Sequence, residues 1–407
     1  MRISTGQLYD RSIQAVLENQ GDLSDIQQQL SSGKKLLRPS DDPVGASQVI
    51  RLTEEIDLIA QYKKNSNLLS NSLEQEETVL KAIRTATDRA RVLMVQSGNG
   101  IVGTEDRKAI GIEITQIRDQ IFDLMNSQNP AGEYIFAGFK SSDPAFSYNP
   151  SSSDNKYTFQ GDSGANKIQI SSTVQVQMNS SGKDVFEDVY ARFKSTISGS
   201  VGVTSAQLDI KQQSTFDQFH QSNYDALTPV NNQFRVTILS ATQAEISNVG
   251  TGAVLDTVDF SSGTPLFFKG LELNIEGAPG NTVDFQLEPP QKQNIAETLN
   301  NFINALNSDT ISDGDFQEAL SDVLYGTDNA LTKIGNGISE IGGRGNITDA
   351  VYASNLDLEI THKTARSNIE EVDYAEAVSE LSRQEAALQA AQATFSKVTG
   401  TSLFDYI

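Results

Sequence analysis

The chain of 407 residues has no cysteine, no tryptophan and two histidines, and it carries 31 basic residues against 53 acidic ones. Without cysteine there is no disulfide, no iron–sulfur cluster and no thiol nucleophile. The same absence suits a chain that stays unfolded or crosses compartments, since no wrong crosslink can form. A formal net charge of −22 repels nucleic acid and anionic lipid, so neither a nucleic-acid partner nor membrane insertion is expected. No stretch reaches the ~18 consecutive apolar residues of a membrane span. Met1 to Thr5 are not followed by the apolar run of a cleaved secretory signal, so none is expected, although a route that reads another signal remains compatible.

What is present is helix at both ends. Residues 8–32 and 370–399 are polar, and each carries apolar residues on a seven-residue beat: Val16, Leu23 and Leu30 near the start, Leu381, Leu388 and Phe395 near the end. Two seams of one period at opposite ends invite pairing with each other or with copies in neighbouring subunits. Ser31-Ser32-Gly33 closes the first helix, with Gly33 as a left-handed C-terminal cap. Asp42 then caps a new helix whose first residue is Pro43, where proline lacks only an N–H that the first turn leaves unpaired. That helix runs to Gly98-Asn99-Gly100, a length of roughly 80 Å that demands partner helices. Thr104 is expected to cap the next one. Its stripe, Ile110, Ile114, Ile117, Ile121 and Leu124, steps by four and three as in an antiparallel helical hairpin.

From Glu133 the period becomes two. Tyr157 and Phe159 lead through Gly161–Gly164 to Ile168 and Ile170; Phe234, Val236 and Ile238 alternate; Leu271, Leu273 and Ile275 lead through Gly277–Gly280 to Val283, Phe285 and Leu287. These patterns predict hairpins of a mainly antiparallel β domain. Helix returns near 291 and again from Asp315 to about Ile341, is expected to break at Gly342, Gly343 and Gly345, and resumes from Asn346 to about Thr399. The fold class is therefore α+β: N- and C-terminal helices form coiled-coil and bundle domains with a β domain inserted between them. The divisions are 1–42 with 370–407 as a terminal coiled coil, 43–133 with 291–369 as a long-helix rod, and 134–290 as a solvent-facing insertion.

Candidate chemistry is sparse. His220 and His362 are expected at the surface, with no nucleophile, base or second ligand spaced around either. Asp309, Asp313, Gly314 and Asp315 lack the alternating oxygen ligands and closing glutamate of an EF-hand loop and read as a helix start. Gly335-Asn336-Gly337 lacks the preceding strand of a phosphate-binding loop. Asp41, Asp42 and Asp57 are explained by capping and solvation. Tyr148 and Phe146 could offer a ligand surface, with ordinary hairpin packing the stronger reading. No catalytic residue, cofactor or metal is expected, and the chain reads as an assembly subunit before an enzyme.

The ends also resemble a known family. Met1-Arg2-Ile3-Ser4-Thr5, Gln27 to Lys34, Pro39-Ser40-Asp41-Asp42-Pro43, Tyr134-Ile135-Phe136-Ala137-Gly138, Asp373-Tyr374-Ala375-Glu376-Ala377, Leu381-Ser382, Ala387 to Ala390 and Ser402-Leu403-Phe404-Asp405-Tyr406-Ile407 resemble the hook-associated protein 3 (FlgL) family of flagellar hook–filament junction proteins, within the flagellin superfamily. Gly45 departs from the alanine expected there. The resemblance covers the helical ends and leaves most of 134–290 untouched. It implies an extracellular structural subunit of the bacterial flagellum, exported unfolded by the flagellar type III apparatus. The implied partners are a ring of like subunits, hook-associated protein 1, flagellin, and a FlgN-type export chaperone at 370–407. On this reading the terminal helices gain full order only on assembly, and each seam finds its partner largely in neighbouring copies. The competing readings are a flagellin and, from another class, a surface binding module on a coiled-coil stalk.

Overall fold

A computed structural model describes residues 5–152 and 155–400 of the chain. The first elements are α1 (Thr5–Ser32), α2 (Pro43–Ser97) and α3 (Thr104–Met125). Two short strand pairs follow, β1 (Phe146–Tyr148) with β2 (Tyr157–Phe159), and β3 (Lys167–Gln169) with β4 (Gln175–Gln177). Next come β5 (Ser195–Val201), β6 (Ser205–Ile210), α4 (Gln213–Asn223), β7 (Gln233–Ile238), β8 (Gln243–Asn248), β9 (Val254–Asp259), β10 (Pro265–Phe268), β11 (Leu271–Glu276) and β12 (Thr282–Leu287). Helices α5 (Ile295–Leu306), α6 (Asp313–Glu370) and α7 (Tyr374–Gly400) complete the order. Helical ends flanking an antiparallel β domain are thus what the chain forms.

The chain divides into two compact units. One comprises Met1–Ser70, Ile168–Val176 and Asn346–Ile407; the other comprises Asn71–Lys167 and Gln177–Gly345.

The second unit holds two apolar centres. In the first, Ile110, Ile114, Ile117 and Ile121 of α3 are buried and α3 packs along α5. Gly111 permits that approach, because a Cβ there would sit 3.2 Å from Asn307 Oδ1 and 3.4 Å from Leu306 Cβ. The stripe ends differently from its spacing: Leu124 is only half-buried, and Met125, one residue on, is fully buried. A straight helix advances 100° per residue, so the buried line drifts off a strict four–three ladder within three turns. Thr104 is not the cap of α3. Gly103 occupies that position with no side-chain hydrogen bond, and Thr104 already lies in the first turn.

The second centre is a β sandwich. A five-stranded sheet in the order β5-β12-β7-β8-β9 faces a three-stranded sheet in the order β10-β11-β6. Alternation sets the inner faces: Phe234, Val236 and Ile238, Val283, Phe285 and Leu287, and Leu271, Leu273 and Ile275 all point into one core. Phe216 and Phe219 of α4, a helix with no counterpart in the period-two reading, fill the remaining space. Two expected hairpins are absent. β2 pairs with β1 rather than β3, and β11 and β12 lie in different sheets. Gly277–Gly280 therefore crosses between layers, which sequence alternation alone does not distinguish from a turn within one sheet.

His220 is not at the surface. Its ring stacks between Phe193 (4.4 Å, 2°) and Tyr224 (5.2 Å, 6°) and is buried. The partner of Nε2 at 2.8 Å is the Glu288 carbonyl, which can only accept, so Nε2 carries the hydrogen and the buried Nδ1 has no partner. Burial holds its pKa below the ordinary histidine value, against a smaller upward push from Glu288 and Asp217.

The glycine cluster does not break α6, which runs unbroken through Gly342, Gly343 and Gly345. Glycine costs about 1 kcal/mol per site in a helix, which a 58-residue helix packed along much of its length tolerates. The break comes instead at Glu371–Asp373.

Candidate assembly site

The terminal helices meet in the first unit, where α1 packs along α7. Val16, Leu23, Leu30, Leu381, Leu388 and Phe395 are each half-buried, and none is fully buried. Tyr9 stacks on Phe395 with ring centroids 5.4 Å apart. The expectation that these seams find their partners largely in other copies needs amending: each has a partner within the chain. The pairing leaves all six partly exposed.

Both joints at the base of this pair are tied to each other. Gly33 adopts φ +74° and donates its N–H to Gln29 O at 2.8 Å, which is the C-terminal cap read from the sequence. The chain then lies beside the break after α6. Lys35 N–H donates to Glu370 O at 2.8 Å and Val372 N–H to Gly33 O at 3.0 Å. Lys34 pairs with Glu370, and Lys35 Nζ donates to Asn368 O at 3.1 Å. Asp373 starts α7 by accepting N–H groups from Ala375 (2.8 Å) and Glu376 (3.3 Å). The Asp373-Tyr374-Ala375-Glu376 stretch thus carries a capping residue that periodicity does not reveal, although an aspartate immediately before a helical run, with glutamate three residues on, is its ordinary signature.

The Pro39-Ser40-Asp41-Asp42-Pro43 stretch divides its two carboxylates between turn and cap. Asp41 Oδ2 accepts the N–H of Arg38 at 2.8 Å. Asp42 Oδ1 accepts those of Val44 (3.1 Å) and Gly45 (2.9 Å), with Pro43 as the first residue of α2. A Cβ at Gly45 would run into the Asp42 carboxylate and come within 3.3 Å of Leu36 Cδ1. In this chain the glycine makes room for the cap.

Above the joints, α2 and α6 bury some apolar residues and leave others bare. Ile56, Ile59 and Leu69 are buried, whereas Val44, Ile50, Leu58 and Leu68 on α2 and Leu358 and Ile360 on α6 are exposed, Val44 by 66% and Ile360 by 63%. The segment Ile168–Val176 lies across the covered face. Asn65 Nδ2 donates to Gln169 O at 2.7 Å and the buried Asn355 to Ile170 O at 2.8 Å. Lys63 bonds Glu359 at 2.7 Å.

Other expected positions fall out plainly. Ser312 Oγ accepts the Asp315 N–H at 3.1 Å and donates to its carboxylate at 2.8 Å, so the aspartates near 309–315 belong to a helix start. Phe146 is buried, and Tyr148 stacks on Tyr157 at 4.8 Å. Among the described residues no group of three or more His, Cys, Asp or Glu could hold a metal ion. Met1–Ser4 and Ser402–Ile407, which carry part of the resemblance, lie outside the described residues.

Half-covered terminal helices, a tied joint and long helices with exposed apolar residues thus flank an inserted β domain. The bacterial flagellin N-terminal helical region matches residues 3–141 and the bacterial flagellin C-terminal helical region matches residues 324–407. Together they span more than half of the chain, and the chain belongs to the bacterial flagellin family. Within it, the chain is 28% identical over 211 residues to the flagellar hook-associated protein 3 of Escherichia coli strain K12, covering 51% of this chain and 65% of that protein. It is 35% identical over 140 residues to the protein of the same name from Salmonella typhimurium, covering 34% of this chain and 44% of that one. The chain thus spans less than two thirds of the length of these relatives in the matched regions. In fold it is similar to the flagellar hook-associated protein-3 of Legionella pneumophila (TM-score 0.60, 21% identity, 79% of this chain and 98% of that one) and to FlgL of Xanthomonas campestris (TM-score 0.56, 21% identity, 78% and 99%).

Proposed function

We propose that this chain is a structural subunit of the bacterial flagellum that joins the hook to the filament as a mechanical adaptor. The carrying observation is the terminal helix pair, whose six seam residues have a partner on one side and water on the other. The names of its relatives support the place in the machine. Like subunits form a ring. The helices of 1–42 and 370–407 line the inner tube, those of 43–133 and 291–369 form the next shell, and the insertion 134–290 faces solvent. One end of the ring meets hook-associated protein 1 and the other meets flagellin. Apolar seam packs into apolar seam, worth about 25 cal/mol per Å² covered. The chain leaves the cell through the flagellar type III apparatus without a cleaved signal, and a FlgN-type chaperone holds 370–407 before export. It has no catalytic role.

Seeded polymerisation separates this role from that of a filament subunit. On hook fragments capped with hook-associated protein 1, a junction subunit adds a short zone and stops. Growth of long filaments from this chain alone would make it a flagellin instead.

A further inference from the structure

The β sandwich and the helices beside it share one compact unit but not one core. The sandwich's apolar cluster draws on its own strands, on α4, on Phe260 between β9 and β10 and on Phe193 at the end of the incoming ribbon, and on none of α2, α3, α5 or α6. The chain enters and leaves it through a narrow ribbon, in which Gln293 N–H donates to Val189 O (2.9 Å), Ala191 N–H to Gln291 O (2.9 Å) and Glu288 N–H to Lys194 O (3.0 Å). What ties the sandwich to α6 is polar. Arg192 Nε lies 2.6 Å from Asp322 and its Nη2 3.5 Å from Glu318, while Lys194 Nζ lies 2.9 Å from Glu318 and 2.7 Å from Asp322. Tyr325 donates to Asp217 of α4 at 2.6 Å, and Asn329 to Tyr190 O at 2.7 Å. A cleft of about 380 Å³ lies between the ribbon and helices α5 and α6, lined in part by Arg192, Lys194, Phe302, Asp322 and Gly326. Separate cores, a two-strand tether, an ionic contact and a cleft beside the tether are the ingredients of a hinge.

We propose that Arg192, Lys194, Glu318 and Asp322 form an ionic clasp that holds the base of the β sandwich against α6 and releases it, about the ribbon segments 188–191 and 291–293, as ionic strength rises. The carboxylates are reachable by salt: Glu318 is 53% exposed and Asp322 35%, whereas Arg192 is 10% exposed. Raising salt from 0.1 M to 1 M shortens the screening length from about 10 Å to about 3 Å, which weakens the clasp. The apolar cores on either side are not weakened by salt screening, so the two bodies stay folded while their contact loosens. Opening rehydrates the sheltered Arg192, which favours two discrete arrangements over a continuum.

The absence of native cysteine permits clean labelling of the full chain at Thr251→Cys, in the loop between β8 and β9, and at Thr332→Cys on α6. Single-molecule energy transfer between the two dyes should give one narrow population at low salt and a second, lower-efficiency population near 1 M salt. The Glu318→Gln/Asp322→Asn double variant should show that second population already at low salt and respond little to added salt. Asp328→Asn, which removes only the Arg91–Asp328 pair of the same helix, should behave as the unsubstituted chain. Circular dichroism unchanged across all samples checks that the bodies remain folded. A single population at both salts, or a double variant that stays narrow at low salt, would overturn the clasp.

Discussion

Gly33 ends α1 at φ +74°, Gly45 leaves room for the Asp42 carboxylate, and the buried His220 ring gives its Nε2 hydrogen to the Glu288 carbonyl. Gly33 follows a helix and precedes a polar connector, which suffices to place a left-handed cap. Gly45 reads as a small penalty until the Asp42 carboxylate is seen to occupy the space of its missing Cβ. Around His220 the local aromatics Phe216, Phe219 and Tyr224 hint at burial, but its ring partner Phe193 and its carbonyl partner Glu288 are 27 and 68 residues away. Its environment has a pH consequence. The folded ring titrates below its unfolded value, so as pH falls the unfolded chain takes the proton first. The stability it contributes is fully present above about pH 6.5 and is lost as pH drops below that value. Glu76 works in the opposite sense. Burial leaves its Oε2 unpartnered and raises its pKa, so its contribution is present below the ordinary carboxylate value and fades as pH rises through the raised one. The difference between the parent chain and a single variant removes this background. His220→Phe keeps the stack, loses the bond to Glu288 at about 1–3 kcal/mol, and should melt with a flatter pH dependence than the parent on acidification from pH 7.5. Parallel melting curves at every pH would show that His220 is not neutral in the fold.

Among elements, helices were legible and strand pairing was not. The isoleucine ladder of α3 fixes its buried face because helical neighbours are local, and only its last contact shifts from Leu124 to Met125. Ile114→Ala should therefore lower stability by about 2–5 kcal/mol, and Leu124→Ala by markedly less, as read from denaturant midpoints. Equal losses would contradict the observed face. Alternation marks Leu271–Ile275 and Val283–Leu287 as strands, but it does not say that the turn between them changes sheets, because partner choice rests on contacts such as Val283 with Val236 that are remote in sequence. The continuity of α6 was hidden for the converse reason: local glycine propensity points to a break, and packing along the helix overrides it. At the terminal pair, Leu388→Asp should leave the melting of α3 and the sandwich unchanged and still permit export, yet stop filament growth. Full motility in that variant would remove the seam from the assembly surface.

For the whole molecule, the design lies in what one copy leaves unfinished. The β sandwich and the α3–α5 centre are closed on themselves, while α1 with α7, and the outer faces of α2 and α6, present Leu17, Ile50, Leu58, Leu68, Ile360 and Val378 to water. On the proposed role, a neighbouring copy covers the second group. That division was partly legible, since the two heptad seams stand at opposite ends of the sequence. What the sequence left open was that the seams cover each other halfway before any neighbour arrives. Electron microscopy of cells from which this chain alone has been deleted tests the junction role most directly. The account predicts bare hooks still carrying hook-associated protein 1, with unpolymerised flagellin shed into the medium, and filaments restored by the parent chain. Normal filaments on the deleted cells would contradict it.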